Sequence, residues 1–340
     1  MLLNIKIIHQ SLPLAQVFRI SRGAKTSAEV IVVVISDGNK VGWGEAVPYG
    51  HYGETIESVS KQLKALSTQQ ISIENHSNLS KMLPAGSARN ALDCAMWDLK
   101  AQLESKTVNE LINHPSISSC ITAQTISVDT TSAMQASARK LNNPPLVKVK
   151  LDADSVVDKM QAISDVCPNS RFIIDANEGW SIDVLDNIMK PLQNCNVVLI
   201  EQPLPASRDD ELKDFDSPIP ICADESVHVS NDLQSLRHKY DAINIKLDKT
   251  GGLSEAIHIL RHARELDFQI MIGCMVGSSL GMAPAYTLCG FADFVDLDGP
   301  LLVAKDRQNG FTFENGIMSS MPPKLWGMGN TSEEASLLFK

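Results

Sequence analysis

The sequence has no apolar run near the roughly 20 residues that span a bilayer, so we expect no membrane-crossing helix. The N-terminus, MLLNIKIIHQSLPL, carries Lys6 and His9 inside its apolar stretch and shows no cleavage pattern; it reads as a first strand, not a signal peptide. Basic charge is not in excess. Lys and Arg number 30 against 40 Asp and Glu, a net charge of −10. Nucleic-acid binding needs a basic surface, so no nucleic-acid partner is expected. The seven cysteines are scattered singly, mostly within apolar runs, with no CxxC pair. That excludes a disulfide framework or cysteine-rich zinc site and fits a reducing, cytoplasmic location. Nor does a glycine-rich phosphate loop follow any strand candidate, which removes the dinucleotide-binding open sheet.

What is present is a 340-residue chain with 44% hydrophobic residues, enough for one large domain and a smaller one. The first 50 residues read as three strands, 2–9, 30–36 and 40–46, with Asp37-Gly38-Asn39 as a hairpin turn. A polar loop, 21–27, precedes the second strand, and a second glycine-bearing loop, 48–53, holds His51. Residues 54–115 are helical. Ala88, Ala91, Leu92, Ala95, Leu99 and Leu103 recur at three- and four-residue steps, the pattern of a packed helix. Asp93, Cys94 and Trp97 on that helix read as packing and capping.

From about residue 120, short Ile- and Val-rich runs alternate with helical stretches. The strand candidates are 121–128, 146–151, 171–175, 197–201, 219–224, 242–247, 269–275 and 294–297. Near-continuous hydrophobicity suits parallel strands covered by helices. Their regular repeat predicts a (β/α)7β TIM-like barrel at 118–298. The expected cap is an α+β domain formed by 1–117, onto which the tail 299–340 packs back.

The charges are organised around LVKVKLD, 146–152. Side chains two apart on a strand share a face, so Lys148 and Lys150 point one way and Val147 and Val149 the other. Alone, this would read as an edge strand guarded by lysines. The following strands change that reading. Asp175, Glu201, Asp224 and Lys246 continue the series from Lys150 at intervals of about one βα unit. Each therefore falls at the C-terminal end of its strand, where barrel active sites are built. An isolated carboxylate there often caps the next helix. Three on adjacent strands would converge, and their repulsion calls for a cation. Hard oxygen donors on rigid strands suit Mg²⁺, one per subunit, with sites left for substrate; no convergent His or Cys points to zinc. Lysines on the flanking strands would face a metal-held substrate from both sides. The metal would bind a carboxylate and stabilise the dianion left when the adjacent carbon loses its proton. Lys148 and the metal both flank Lys150 and would lower its pKa. One lysine would take the α-proton and the other return it to the opposite face, which is racemisation or epimerisation.

VKVKLD, DANEGW, IEQPLP, CADES, NIKLDKTGG and DLDGP stand in this order along the chain. In order and spacing they resemble the enolase superfamily, within its muconate-lactonising-enzyme-like subgroup, whose pairing of a lysine base with Mg²⁺ is a known property. More narrowly they resemble the dipeptide epimerases that act on L-Ala-D/L-Glu. The resemblance implies Lys150 and Lys246 as the acid/base pair and Asp175, Glu201 and Asp224 as metal ligands. It implies Lys148 on the substrate carboxylate, Thr125 and Cys274 as substrate contacts, and Asn177 supporting the metal site. Two features carry the narrowing. Asp296 and Asp298 on the last strand suit the free ammonium of a dipeptide. Arg22, in the loop SRGAK, would meet the glutamyl carboxylate as a bidentate pair. Glu225 is expected to point away from the site by strand alternation. The resemblance further implies a dipeptide as small-molecule partner, a homo-oligomer, and a part in recycling murein peptides. Two alternatives stand beside the epimerase. o-Succinylbenzoate synthases and cycloisomerases of the subgroup share the lysines and carboxylates but need no acidic pair for an amine. A non-catalytic, metal-binding barrel scaffold would need neither Lys150 nor Lys246.

Overall fold

A two-residue repeat builds the centre of the molecule. In the computed structural model, which describes residues 2–69 and 71–340, strands 124–126, Leu146–Lys150, Arg171–Asp175, Val197–Glu201, Ile221–Ala223, Ala242–Ile245, Gln269–Gly273 and Phe294–Asp296 form one eight-stranded sheet in sequential order. Every neighbouring pair is parallel. A hydrogen bond from Ala123 N–H to the Val295 carbonyl, 2.8 Å, joins the last strand to the first. We call these barrel strands one to eight.

Alternation sorts the side chains into layers. Ala123, just before strand one, and Leu146, Ile173, Leu199, Cys222, Ala242, Met271 and Phe294, one from each of the other seven strands, make a separate apolar cluster inside the barrel. Two residues further along come Thr125, Lys148, Asp175, Glu201, Asp224, Asn244, Gly273 and Asp296. The same inward face thus changes from apolar plug to charged layer in one step. The intervening residues, among them Val147, Val149, Ile174 and Ile200, face outward into the main hydrophobic core. Fully burying one such side chain is worth about 1.5–3 kcal/mol. A one-residue slip would drive the charges into the helices, so register is fixed from both faces.

The first strand is longer than the sequence pattern indicates. Strands Asn4–Ile20, Gly23–Ser36 and Val41–Ala46 form an antiparallel sheet. Residues 21–27, expected as a polar loop, are instead the turn and outer rungs of one hairpin, with Phe18 opposite Lys25 and Ile20 opposite Gly23. Their polarity reflects an exposed strand tip rather than absence of a strand. The expected run 121–128 also divides. Ser119–Ile121 pairs with Ile317–Ser319 of the tail, and only Gln124–Ile126 enters the barrel.

Helix Ser87–Glu104 lies across this antiparallel sheet. Gly42 permits the approach: a Cβ there would stand 2.5 Å from the Ala95 carbonyl oxygen. Leu103, expected on the packed face, is 43% exposed; in the last turn Ala101 and Gln102 take the buried positions, and Gln102 donates to the Val41 carbonyl at 2.7 Å. The tail closes over the other side. Trp326 donates its indole N–H to the Cys94 carbonyl, 3.0 Å, and Gly327 N–H donates to Asp98 Oδ1, 2.7 Å. Asp93 caps a neighbouring helix, accepting Ser254 N–H at 3.0 Å.

Asp98 gives a test of this packing. It is 1% exposed, and burial pushes its carboxyl up to about 7 against the hydrogen bonds from Gly327 and Trp43. A raised carboxyl favours folding fully below its unfolded pKa, near 4, and that contribution is lost as pH rises through 7. Relative to wild type, Asp98→Asn is therefore expected to gain stability between pH 4 and 7, with a slope approaching about 1.4 kcal/mol per pH unit. Urea melts of both proteins at pH 4.5, 6 and 7.5 measure it; parallel pH profiles would refute the assignment.

Candidate active site

The C-terminal rim of the barrel carries the charged layer. Asp175 and Glu201 are direct neighbours across strands three and four. Asp224 follows the end of strand five. Their exposures are 0, 0 and 1%. Lys150 lies on one side of the three, with Nζ 2.5 Å from Asp175 Oδ2. Lys246 lies on the other, 2.6 Å from Asp224 Oδ2 and 3.8 Å from Glu201 Oε1. Lys148 is enclosed among carboxylates: Glu201 at 2.6 Å, Asp296 at 2.8 Å and Asp175 at 3.0 Å.

Electrostatics follow from burial and these neighbours. Burial raises the Asp175 carboxyl, but Lys150 and Lys148 outweigh it and hold it below the ordinary range. Glu201 is pushed up to about 7, first by burial and then by the charge of Asp175. Its Oε2 touches Lys148 Nζ but off the hydrogen-bonding direction, and is left without a directed bond. Burial lowers Lys246, yet Asp224 and Glu201 reverse this and hold it well above its usual value.

Among the described residues, no three His, Cys, Asp or Glu side chains meet at one point as a metal cage. Asp175 and Asp224 are turned onto their lysines. The donor set nevertheless fits a hard cation: three enclosed carboxylates, a buried oxygen of Glu201 with no directed partner, and a Glu201 carboxyl raised by burial and by the charge of Asp175. A cation among them would also draw off the negative charge that keeps Lys246 protonated.

Above the rim is a cavity of about 790 Å³. Lys150, Lys246, Asp224, Asn177 and Cys274 line its floor, and residues of the first hairpin and of the 47–52 loop form its walls. Arg22 reaches in from the hairpin turn. Its guanidinium donates to Glu225 Oε1 at 2.6 Å, Glu178 Oε2 at 2.9 Å, the Asn177 carbonyl at 2.8 Å and Tyr49 Oη at 3.3 Å. His51 meets the same Glu178 oxygen at 2.8 Å. Asn177 N–H donates to Asp175 Oδ1, 2.9 Å. Burial pushes the Cys274 thiol up. Asp296 and Asp298 are buried behind the floor, 4 and 3% exposed. Asp298 accepts Thr125 N–H at 2.7 Å and is raised to about 7 by burial and by Asp296.

Glu225 requires a correction. It does not point away from the site but lines the cavity and anchors Arg22. Strand five ends at Ala223, so alternation no longer governs it. Two further residues escaped the sequence reading. Asn244 donates its side-chain amide to Glu201 Oε1, 2.8 Å; it stands two before Lys246, as Lys148 stands two before Lys150, and that offset was its signal. Lys249 is buried with Nζ 2.6 Å from Asp224 Oδ1 and also donates to the Asp224 carbonyl. It lies on a helical turn, where strand spacing gives no warning.

Residues 3–113 match the mandelate racemase / muconate lactonizing enzyme N-terminal domain, and residues 132–335 match the enolase C-terminal domain-like family. The chain belongs to the enolase superfamily. It is an isomerase of the racemase and epimerase kind. N-acetyl-D-glutamate racemase from a Pseudoalteromonas species is 52% identical over 89% of this chain and 97% of its own length. L-Ala-D/L-Glu epimerase from Escherichia coli is 40% identical over 92 and 98%. An Agrobacterium tumefaciens enolase family member with homology to dipeptide epimerases, solved with sodium and L-Ala-L-Glu, superposes with a TM-score of 0.92 at 42% identity, covering 96% of this chain and 100% of that one. A Methylococcus capsulatus dipeptide epimerase solved with Mg and L-Arg-D-Lys has a TM-score of 0.89 at 28% identity, over 97 and 99%. No helix among the described residues is long and apolar enough to cross a membrane.

Proposed function

We propose that the protein epimerises the glutamyl α-carbon of a dipeptide, converting L-Ala-D-Glu to L-Ala-L-Glu, with one Mg²⁺ per subunit held by Asp175, Glu201 and Asp224. The observation that carries this is the order across the rim: Lys150, three enclosed carboxylates on successive strands, then Lys246. Mg²⁺ bound there would neutralise the substrate carboxylate and make its α-proton more acidic. Lys150 and Lys246, on opposite sides of that carboxylate, exchange the proton: the neutral amine removes it from one face and the ammonium supplies one to the other. The apolar plug below keeps water from entering through the barrel floor. Asp296 and Asp298 favour a free α-ammonium, because two buried carboxylates close together are relieved by a further cation. The biological setting that fits this substrate is recycling of murein peptides.

A second reading rests on the Pseudoalteromonas relative, which is named for N-acetyl-D-glutamate. Both candidates are N-acylated glutamates, and both need the same two lysines. They differ in whether a positive charge sits at the acyl end.

Proton NMR in D₂O with Mg²⁺ decides between them. L-Ala-D-Glu is expected to gain deuterium at the glutamyl α-carbon and to interconvert with L-Ala-L-Glu, and EDTA is expected to stop both. Exchange only of N-acetylglutamate would transfer the reading to the racemase. No exchange of either compound would sink both.

Arg22 supports the acidic side chain in this reading. Arg22→Met is expected to lower kcat/KM for L-Ala-D-Glu about 10–100-fold, the worth of a charge-assisted hydrogen bond, and to affect L-Ala-L-Leu less. A dipeptide panel measures it, and equal losses across the panel would remove Arg22 from the specificity role.

A further inference from the structure

The residue after Glu201 is Gln202, completely buried, with φ at +36°. Side chains other than Asn and Asp seldom occupy this left-handed region, and such outliers persist where the surroundings over-determine them. The surroundings here engage both ends of the amide. Oε1 accepts the backbone N–H of Asp224 at 2.8 Å and of Ser226 at 3.2 Å. Nε2 donates to the Leu204 carbonyl at 3.0 Å, Ser226 Oγ at 2.9 Å and Tyr240 Oη at 2.9 Å. The amide can face only one way, because backbone N–H groups only donate and a carbonyl only accepts. Asp209 enforces that orientation from behind. Its Oδ2 takes hydroxyl hydrogens from Ser226, 2.7 Å, and Tyr240, 3.1 Å, leaving their lone pairs to Gln202.

This amide replaces missing sheet. The ladder between strands four and five ends at Glu201 opposite Cys222. The ladder between strands five and six ends at Ala223 opposite Ile243. Asp224 therefore lies past the last rung on both sides. Side chains take the place of the ladder: Gln202 holds the N–H, and Lys249, together with the backbone N–H of Val227 at 3.2 Å, holds the carbonyl.

We infer that Gln202 is a positioning residue that fixes Asp224 beside Glu201, and so sets the spacing of two of the carboxylates assigned to the metal. The inference rests on the metal reading given above. Its left-handed backbone aims the amide across to strand five directly after Glu201, so one residue ties the two carboxylates together. Gln is the side chain that fits. Glu would set an oxygen against the Leu204 carbonyl, and Met would leave the buried Asp224 N–H and the half-buried Ser226 N–H without this acceptor.

The test uses full-length wild type, Gln202→Asn and Gln202→Met, with Mn²⁺ binding followed by electron paramagnetic resonance and melting followed in EDTA. Asn accepts a positive φ more readily than Gln, but its amide is one methylene too short for Asp224. Gln202→Asn is therefore expected to melt no lower than Gln202→Met while its Mn²⁺ Kd rises about tenfold or more, the loss expected for a buried hydrogen bond. A purely structural role would lower melting in step with conformation and leave Mn²⁺ affinity unchanged in whichever variant folds. Wild-type Mn²⁺ affinity in Gln202→Asn would overturn the inference and spare the metal reading. Failure of wild type itself to bind Mn²⁺ would overturn the metal reading, and the inference with it.

Discussion

Lys150→Ala and Lys246→Ala are each expected to abolish interconversion of the two epimers, with a loss of about 10²–10⁴-fold or more, the usual worth of a positioned acid or base. The two variants should nevertheless differ. The site holds one lysine on each side of the enclosed carboxylates, beside Asp175 and beside Asp224. Removing one leaves the other able to take a proton from the epimer whose α-hydrogen faces it, and to return one to the same face. Each variant should then wash deuterium into one epimer only, and the two variants should choose opposite epimers. Proton NMR of each epimer with each variant reads this directly. Intact turnover in either variant would end the two-base mechanism. Circular dichroism of the variants checks that the fold survives, since each lysine also compensates a buried carboxylate whose loss of partner costs several kcal/mol.

The second large effect separates the two candidate substrates. Asp298→Asn is expected to reduce kcat/KM for L-Ala-D-Glu about 10²-fold, the scale of one buried charge-assisted contact, while changing N-acetyl-D-glutamate far less. The asparagine oxygen can still accept Thr125 N–H, the bond that Asp298 makes at 2.7 Å. The substitution therefore removes a charge while keeping the acceptor. Asp296 is less suited to the test because it also compensates Lys148. Equal losses on the two substrates would dissociate Asp298 from the ammonium.

Much of this site is legible in the sequence because strands are periodic. Lys148 with Lys150, and the recurrence of Asp175, Glu201, Asp224 and Lys246 once per βα unit, follow from alternation and repeat length alone. What escapes lies where alternation stops. Glu225 and Lys249 sit beyond strand ends, on a turn and a short helix, and their directions depend on φ and ψ values that composition does not encode. The hairpin tip at 21–27 is polar because it stands clear of the core, and polarity by itself cannot separate an exposed strand from a loop. Gln202 looks like an ordinary link in IEQPLP until its positive φ is seen.

The cavity's walls and floor come from different stretches of the chain. The walls belong to the first hairpin and the 47–52 loop, and the rim lysines and carboxylates belong to the ends of barrel strands two to six. Parts of the wall can therefore change separately from the rim charges, since a change at Lys25, which lies over the Tyr49 ring, leaves them untouched. Two sets of contacts still couple wall to rim: Arg22, His51 and Ser21 bond the loops after barrel strands three and five, at Ala176, Asn177, Glu178 and Glu225, and a second set lies after strand six. Asp248, two residues past Lys246, accepts hydrogen bonds from Val47 N–H and Asn90, both at 2.9 Å, and Arg89 donates to the Thr250 and Gly251 carbonyls. A chimera that exchanged residues 1–117 between two relatives would need to keep both sets of contacts, and would then carry the donor's taste with the recipient's chemistry.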